Sequence, residues 1–238
     1  MDKMRKTLDA GLPELGLELS DGQKQTLCDF GAAVVKQNEV MNLTAITEPE
    51  KVAQLHMLDC AALLDVACFE GKTLIDVGTG AGFPGLPLKI LVPSLNVTLL
   101  DSLNKRVDWL NEVAGQLGLA GVTAIHARAE EQAQVKGFRD SFDFATARAV
   151  AELRLLCELC LPYVKVGGCF LAMKSVDSDR ELEEAAHCIK LLGGRVQGCH
   201  DYTIPGTDVS HRLVVIQKVA PTLKGYPRRW AKIQKEPL

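Results

Sequence analysis

The chain has 238 residues, of which 47% are hydrophobic and 24% are charged, and its formal net charge is −3. This length and apolar content suit one large domain with a real core and exclude a disordered chain. No apolar stretch approaches the roughly 20 residues of a membrane span, and no apolar segment follows the first six residues. We therefore expect a cytoplasmic protein without a secretory signal or a membrane partner. A mean acidic charge by itself disfavours nucleic acid as a partner.

The charges are distributed unevenly along the chain. Residues 1–70 carry 6 basic and 12 acidic side chains, whereas residues 201–238 carry 7 basic and 3 acidic ones. An enzyme that contacts one RNA loop needs a basic patch rather than a basic chain. The distribution therefore permits a nucleic-acid partner that the mean charge disfavours.

The eight cysteines lie mostly within apolar patterns rather than in turns. In a chain without a secretory signal, we interpret them as reduced, buried, small hydrophobic side chains. Cys157 and Cys160 form a lone CxxC in a predicted helix. A structural zinc site would need a second pair at suitable spacing, so the sequence predicts no metal site.

Helices are predicted for the first 70 residues. Ser20 precedes a segment with apolar residues at helical spacing, which predicts a capped helix. A second helix is predicted to begin at residues 47–50, because Thr47 and Glu50 have the spacing of a capping box and Pro49 suits a first turn. The short polar segment 42–44 links the two helices.

From residue 73 onward, short apolar or β-branched runs alternate with stretches of helical periodicity. This alternation predicts βαβ units and a mostly parallel sheet, with the last run entering as an antiparallel hairpin strand at one end. We divide the chain into an N-terminal helical extension (1–70), a core (71–220) and a basic C-terminal tail (221–238). The predicted strands are 73–77, 97–100, 122–125, 142–146, 169–173 and 213–217, and the predicted helices are 84–92, 103–117, 150–161 and 178–191.

The densest functional signal is the glycine-rich segment 78–85, which follows a predicted strand and precedes a predicted helix. Glycine permits sharp turns and close approach of a ligand, and the helix N-terminus adds a positive dipole end. Residues 80–85 match the dinucleotide fingerprint GxGxxG, which leaves an NAD-linked oxidoreductase open. The alternative alignment, in which Asp76 precedes Gly78, Gly80 and Gly82, is typical of class I S-adenosylmethionine (SAM) methyltransferases.

Three further positions follow the ends of predicted strands. Asp101 stands 19 residues after Gly82, where a carboxylate suits a ribose diol in either cofactor class. Methyltransferases commonly line the adenine with residues at the position of Ala129 and Glu130, although an acid there also suits a helix start. Arg148 faces the cleft and suits a ligand carboxylate or phosphate, or a structural ion pair.

The region after the fourth strand restricts the target atom. Residues 142–151 contain neither the (Asp/Asn)-Pro-Pro-aromatic motif of exocyclic amino transfer nor a cysteine for attack on a pyrimidine carbon. Ring nitrogens, hydroxyl oxygens and small molecules remain. Guanine N7 has a lone pair and no proton, so its methylation needs no general base, and orientation alone can supply ~7–11 kcal/mol. We assign no catalytic residue.

These motifs together resemble the RsmG (GidB) family of 16S rRNA guanine-N7 methyltransferases, over roughly residues 40–238. The resemblance implies a class I SAM-dependent α/β (Rossmann-like) fold with a mostly parallel seven-stranded sheet, SAM as cofactor, and one guanine of 16S rRNA in the small ribosomal subunit as target. Carried over by position, the cofactor contacts fall on the residues Gly78, Phe83, Ala129, Glu130 and Arg148. The ribose argument adds Asp101. The matching stretches are 42–44, 56–59, 76–87, 100–107, 128–130, 146–151, 172–174 and 226–229.

Basic residues near aromatic ones suggest where RNA would bind, since they suit phosphate contact and base stacking. A solvated basic terminus is the alternative, so we assign the RNA contact to the cluster rather than to single residues. His56 and Asp59 lie one turn apart, and we expect them to pack the helical extension onto the sheet. The candidate RNA contacts are Lys105, Arg106, Arg228, Arg229, Lys232 and Lys235.

Two departures from the family pattern stand out. The tail reads Ala231-Lys232-Ile233 where the family commonly has Gly-x-Pro, and Cys60 stands where the family usually has serine. We expect a monomeric enzyme that acts on the small subunit. A methyltransferase of small molecules and a SAM-binding regulator without activity remain as alternatives.

Overall fold

The structure is a computed structural model that describes residues 2–148 and 151–238. Ala149 and Val150, which belong to the strand-four motif and to the predicted start of the next helix, lie outside the described residues. Helices α1 (Asp2–Glu14) and α2 (Asp21–Met41) come first. A continuous helical segment over residues 49–65 then joins α3 (Pro49–Val52), a π-helical turn (Ala53–Leu58), α4 (Asp59–Ala61) and a 3₁₀ turn (Ala62–Asp65).

Seven strands form one sheet in the order β3-β2-β1-β4-β5-β7-β6. The first five strands pair in parallel, while β7 pairs antiparallel with both β5 and β6. The predicted mostly parallel sheet with a hairpin at one end is therefore confirmed. The strands are β1 (Thr73–Val77), β2 (Asn96–Asp101), β3 (Val122–His126), β4 (Phe142–Arg148), β5 (Val164–Ser175), β6 (Gly194–Thr203) and β7 (Ser210–Lys218).

Helices cover both faces of the sheet, because successive side chains of a strand point to opposite faces. Leu74 and Leu99 pack with α1, α2, α5 and α6 on one side, which we call the Leu74 face. Ile75 and Leu100 pack with α8 and α9 on the other side, which we call the Ile75 face. The remaining helices are α5 (Gly85–Leu91), α6 (Asn104–Gln116), α7 (Ala129–Gln132), α8 (Leu153–Cys160), α9 (Asp179–Leu191) and α10 (Trp230–Lys235).

The start of α2 is confirmed, whereas the capping box predicted for the second helix is wrong. The Ser20 hydroxyl accepts a hydrogen bond from Gln23 N at 3.2 Å, and the Gln23 side chain accepts one from Ser20 N at 3.2 Å. In the segment 49–65, Pro49 is the first helical residue and Glu48 precedes it without a side-chain cap. Thr47 lies one residue too early to cap the helix, because proline with its fixed φ sets the helix start.

The sequence patterns missed α1 and β6 as elements. In α1, Gly11 and Pro13 interrupt the helical signal, although Met4, Leu8 and Leu12 are buried against the core at spacings of four. Strand β6 lies at the edge of the sheet, and most of its side chains are exposed. An edge strand with polar residues and two glycines carries little hydrophobic alternation, so only pairing with β7 identifies it.

The cysteines are all free, and most are buried as expected. Cys157 and Cys160 lie on α8, and burial raises the pKa of both thiols. Cys68 and Cys199 are exposed, which corrects the prediction for these two. Within residues 2–148 and 151–238, no helix is both long enough and apolar enough to cross a membrane.

Candidate functional site

The carboxyl ends of β1, β2, β3 and β4 meet at one edge of the sheet. Strand β1 pairs with β2 on one side and β4 on the other, so the connections leave this point in opposite directions. Open α/β sheets form a crevice at such a switch point. The glycine-rich loop after β1 lies there, as do the segments that follow β2 and β3.

The loop after β1 is fixed by backbone contacts and by glycine conformations. Gly78 N donates to Leu100 O at 2.8 Å, so the loop begins against the end of β2. Gly80 and Gly82 have φ of +59° and +89°, a region that other residues rarely adopt. A Cβ on Gly82 would lie 2.8 Å from the Leu86 side chain, whereas one on Gly80 would meet nothing within 4 Å. Gly80 therefore leaves open space for a ligand against the backbone.

Asp76, at the end of β1, is hydrogen-bonded to two residues of the loop. Its Oδ2 accepts hydrogen bonds from Thr79 Oγ1 at 2.7 Å and from Gly85 N at 2.9 Å. The other oxygen, Oδ1, has no partner in the described part of the chain. The side chain is fully buried, and burial raises the pKa of this carboxyl to about 6. A cationic ligand above the loop would favour the ionised form.

Hydrogen bonds to Asp101 link the glycine loop to the segment after β2. Its Oδ2 accepts a hydrogen bond from Gly80 N at 3.0 Å and its Oδ1 accepts one from Leu103 N at 2.9 Å. Arg106 lies 3.5 Å from Oδ2. Each carboxylate oxygen has a further lone pair, so Asp101 can still accept the two hydroxyl groups of a ribose.

Two pockets adjoin at this edge and share Gly78, Asp101 and Ser102. The smaller pocket, about 160 Å³, is lined mainly by apolar groups at the ends of β1, β2 and β3 and by Leu159 and Trp230. The larger pocket, about 580 Å³, lies between the glycine loop and the helical segment 49–65. After the roles that the sequence predicts for their residues, we call them the adenosine pocket and the transfer pocket. Side chains lining the transfer pocket include Leu43, Thr44, Leu55, His56, Asp59, Phe83, Arg106, Arg148 and His211.

A buried ion pair forms one wall of the transfer pocket. Arg148 Nη1 donates to Asp59 Oδ2 at 3.0 Å and to Leu55 O at 3.1 Å. Asp59 Oδ1 accepts from Tyr202 Oη and His211 Nδ1, both at 2.8 Å. Burial opposes ionisation of Asp59, yet these hydrogen bonds and the Arg148 charge outweigh it and lower its pKa. The hydrogen bond to Asp59 raises the pKa of His211.

His56 is a neutral member of the same wall. Burial and the neighbouring Arg148 lower the pKa of His56 to about 4. Arg148 Nη2 lies 3.2 Å from His56 Nδ1, and Thr44 Oγ1 lies 2.9 Å from Nε2. The guanidinium only donates, whereas Leu55 O, 2.9 Å from the same Nδ1, only accepts, so these two contacts favour opposite tautomers of the neutral ring. The imidazole lies 4.6 Å from the Phe83 ring centroid, and the Arg148 guanidinium carbon lies 5.0 Å from it.

The structure brings together every residue that the sequence predicted as a cofactor contact. Each of them lines one of the two pockets, although their contacts with SAM stay predictions. Arg148 does form the ion pair that was the alternative interpretation, and it still faces the transfer pocket. The six are Gly78, Phe83, Asp101, Ala129, Glu130 and Arg148.

Other lining residues were missed. Trp230 and Leu159 are far in sequence from the glycine loop, and His211 lies on an antiparallel strand. No local motif marks them. The closeness of Trp230 to two basic residues was visible in the sequence, but it suggested RNA contact rather than a cofactor pocket.

The predicted RNA contacts divide into exposed and engaged residues. Arg228 is engaged, because its Nη2 lies 2.6 Å from Oε2 of the buried Glu158 and its own side chain is only 13% exposed, and its contact with RNA stays a prediction. Arg106 is partly engaged with Asp101. The four others are exposed and stay candidates, namely Lys105, Arg229, Lys232 and Lys235.

The pocket residues fit SAM chemically. The apolar adenosine pocket suits a purine, and Asp101 at the junction of the two pockets suits the ribose diol. The positive φ and open space at Gly80 allow a ligand to lie on the loop backbone. Carboxylates below and beside the loop suit the positive sulfonium and ammonium groups.

Solved structures share the fold of this chain. The chain superposes on a MtNAS variant in complex with S-adenosylmethionine with a TM-score of 0.55, at 16% identity over 82% of this chain and 73% of the other. It also superposes on TYW2 of M. jannaschii in complex with AdoMet with a TM-score of 0.51, at 13% identity over 68% and 75% of the two chains. The fold and the site define a class I SAM-dependent methyltransferase.

Sequence comparison gives the family. The chain belongs to the GidB family, rRNA small subunit methyltransferase G, whose model matches residues 23–205. It is 44% identical to "Ribosomal RNA small subunit methyltransferase G" of Clostridium perfringens over 238 residues, which cover all of this chain and 98% of that protein. The protein of the same name from Lachnoclostridium phytofermentans is 47% identical over 98% and 96% of the two chains.

Replacing His56 with glutamine is expected to reduce the acid sensitivity of the fold. The unfolded imidazole takes up a proton near its ordinary pKa of 6.5, whereas the folded one resists protonation until about pH 4. The unfolded state therefore binds more protons than the folded state as the pH falls. This lowers the free energy of unfolding of the wild type by about 2 kcal/mol between pH 7.5 and pH 5.

Urea unfolding of the wild type and His56→Gln at both pH values measures this difference. The raised pKa values of His211 and Asp76 act in the opposite sense, since their folded forms bind the proton first. They are common to both proteins and cancel in the comparison. The exposed His187 gives a control, His187→Gln. Equal acid-induced losses in His56→Gln and the wild type would contradict the expectation.

Replacing Asp101 with alanine is expected to weaken SAM binding. A lost hydrogen bond to a charged group costs about 1.5–3 kcal/mol, which is on the order of 10- to 150-fold in Kd. Asp101→Asn keeps an acceptor for Gly80 N but loses the charge, so it should fall between the wild type and the alanine variant. Calorimetry measures the affinities, with the exposed Asp108→Ala as control. Wild-type affinity in Asp101→Ala would refute a ribose contact.

Proposed function

We propose that this enzyme transfers the methyl group of SAM to N7 of one guanine in 16S rRNA of the small ribosomal subunit. The observation that supports this most is the 44% identity with a ribosomal RNA small subunit methyltransferase G along the whole chain. The two adjoining pockets agree with it, because one suits the adenosine of SAM and the other is wide enough for the methionine end and an entering base.

The transfer pocket supports a reaction that relies on positioning. SAM, when bound, supplies a methyl group on a positively charged sulfur. Guanine N7 attacks with its lone pair and releases no proton, so no general base is needed. The groups that line the pocket agree with this, since His56 is neutral and Arg148 is committed to Asp59.

Charge balance in the pocket suits the same reaction. Methyl transfer moves one positive charge from sulfur to the guanine ring without changing the total. The Asp59 carboxylate and the Arg148 guanidinium neutralise one another 3.0 Å apart, so the wall carries no large net field against either position. Leu43, Leu55 and Phe83 line the same pocket and would exclude water from the reacting atoms.

Exposed cations stand close in sequence to residues of the adenosine pocket. Lys105 is the second residue of α6, which follows Asp101, and Arg128 lines the adenosine pocket while remaining exposed. Arg229 precedes Trp230 at the same pocket. These charges suit the phosphates that flank a target base. We propose that a monomer acts on cytoplasmic small subunits.

Incubation with labelled SAM tests the proposed activity. Small subunits from a strain that lacks the gene should take up label at one guanine of 16S rRNA, and chain cleavage specific for N7-methylguanine should map there. Subunits from the parent strain are already methylated and serve as the control without uptake. Absence of label in 16S rRNA, or label at a different atom, would refute the proposal.

Removing three tail cations should weaken substrate binding without affecting the cofactor. The triple variant Arg229→Ala, Lys232→Ala, Lys235→Ala should raise the Kd for small subunits and flatten its dependence on salt, since fewer counterions are released. A matched triple variant of exposed lysines elsewhere, at Lys72, Lys136 and Lys190, controls for net charge. Affinity for SAM should stay unchanged in both. Equal subunit affinity of the two triple variants at moderate salt would contradict the prediction.

A further inference from the structure

The adenosine pocket has one wall that comes from the far end of the chain. Trp230 lines it together with Leu159 of α8 and with residues at the ends of β1, β2 and β3. The indole is partly buried and packs against the Ile75 face of the sheet. Trp230 stands 100 or more positions after the strand-end residues of this pocket, so a distant part of the chain completes the pocket predicted to hold adenosine.

Hydrogen bonds to a buried glutamate hold the backbone before Trp230. Glu158 on α8 is 1% exposed, and its Oε1 accepts hydrogen bonds from Arg228 N and Arg228 Nε, both at 2.8 Å. Its Oε2 accepts from Arg228 Nη2 at 2.6 Å. This carboxylate thus fixes both the backbone and the side chain of a residue two positions before the indole.

Further contacts hold the segment on either side. Arg139 donates to Tyr226 O at 2.7 Å and to Thr222 O at 3.0 Å. After the indole, Ile233 is fully buried in the Ile75 face. Trp230 and Ile233 are three residues apart on α10, so they share the side of the helix that meets the body of the protein.

We propose that Trp230 belongs to the cofactor site, where its indole forms a wall against the adenosine of SAM and is positioned by the Arg228–Glu158 pair. An aromatic ring in an apolar pocket gives a purine a flat partner for stacking. The acids Asp101 and Glu130 line the same pocket and supply acceptors for polar groups of a nucleoside. The ligand class is therefore an adenine nucleoside. This inference rests on the cofactor and is independent of the rRNA target.

The first test measures affinity for two ligands by calorimetry. Trp230→Ala should raise the Kd of SAM and of 5′-methylthioadenosine by the same factor, about tenfold, since both carry the adenosine. Trp230→Phe should recover most of the affinity. Leu223→Ala, an exposed tail residue outside the pocket, is the matched control. Unchanged affinity in Trp230→Ala, or a loss for SAM alone, would overturn the inference.

Fluorescence gives a second measurement, in which the indole of Trp230 itself stays in place. The chain has two tryptophans, and Trp109 on α6 is 7% exposed and lies outside both pockets. In Trp109→Phe, the emission comes from Trp230 alone. Saturation with 5′-methylthioadenosine should change this emission, with a midpoint at the calorimetric Kd. Emission that stays constant at saturation would overturn the inference.

A double-mutant cycle tests the positioning role of Arg228. If Arg228 acts through the indole, Arg228→Ala should weaken SAM binding in the wild type but add little in the Trp230→Ala background. Additive losses would show that the ion pair supports the fold only, which would overturn the positioning role. Melting temperatures of all variants separate loss of folding from loss of binding.

Failure of this inference can be told apart from failure of the proposed function. At saturating SAM, Trp230→Ala should still label 16S rRNA at the site used by the wild type. If the wild type labels the rRNA while the Trp230 variant binds SAM normally, the assignment of Trp230 is wrong and the function stands. If no label enters rRNA while the variant binds SAM weakly, the assignment of Trp230 stands and the proposed function is wrong.

Discussion

The buried carboxylate of Asp59 joins the helical extension to the sheet. Asp59 pairs with Arg148 at the end of β4 and accepts hydrogen bonds from Tyr202 on β6 and His211 on β7. A buried ion is costly unless it is paired and its remaining lone pairs are satisfied, and here three donors meet that need. The segment 49–65 can therefore lie only where β4, β6 and β7 present these donors together. That position forms one side of the transfer pocket, so the shape of this pocket depends on the buried Asp59 carboxylate.

The same carboxylate decides what the surrounding groups can do. Arg148 would be a free ligand for a carboxylate or phosphate if it stood alone, but its Nη1 is engaged by Asp59 and Leu55 O. Burial, together with the Arg148 charge, keeps His56 neutral. Arg148, Asp59 and His56 together thus carry little net charge. This suits a transfer in which positive charge moves between two atoms and no proton is exchanged.

Burial divides the basic residues of β7 and the tail into two groups. Arg228 and the buried Lys218 hold the last segment through Glu158 and Asp140. Arg229 and its exposed neighbours have no such acid nearby in the described contacts and remain at the surface. The sequence shows only a cluster of positive charges. Which of them face an acid depends on how the tail crosses α8, and that is a property of the folded chain.

The sequence by itself determined the parallel sheet, the glycine loop and the predicted cofactor residues. These follow from local rules, because hydrophobic periodicity sets strands and helices and because ligand loops follow the carboxyl ends of strands. Residues such as Gly78, Asp101 and Glu130 could therefore be located from spacing and family resemblance. The tertiary structure alone decided the partners of Asp59, the engagement of Arg228 and the place of Trp230. Each of these joins segments distant in sequence, and no periodic pattern encodes a contact that depends on how whole elements pack.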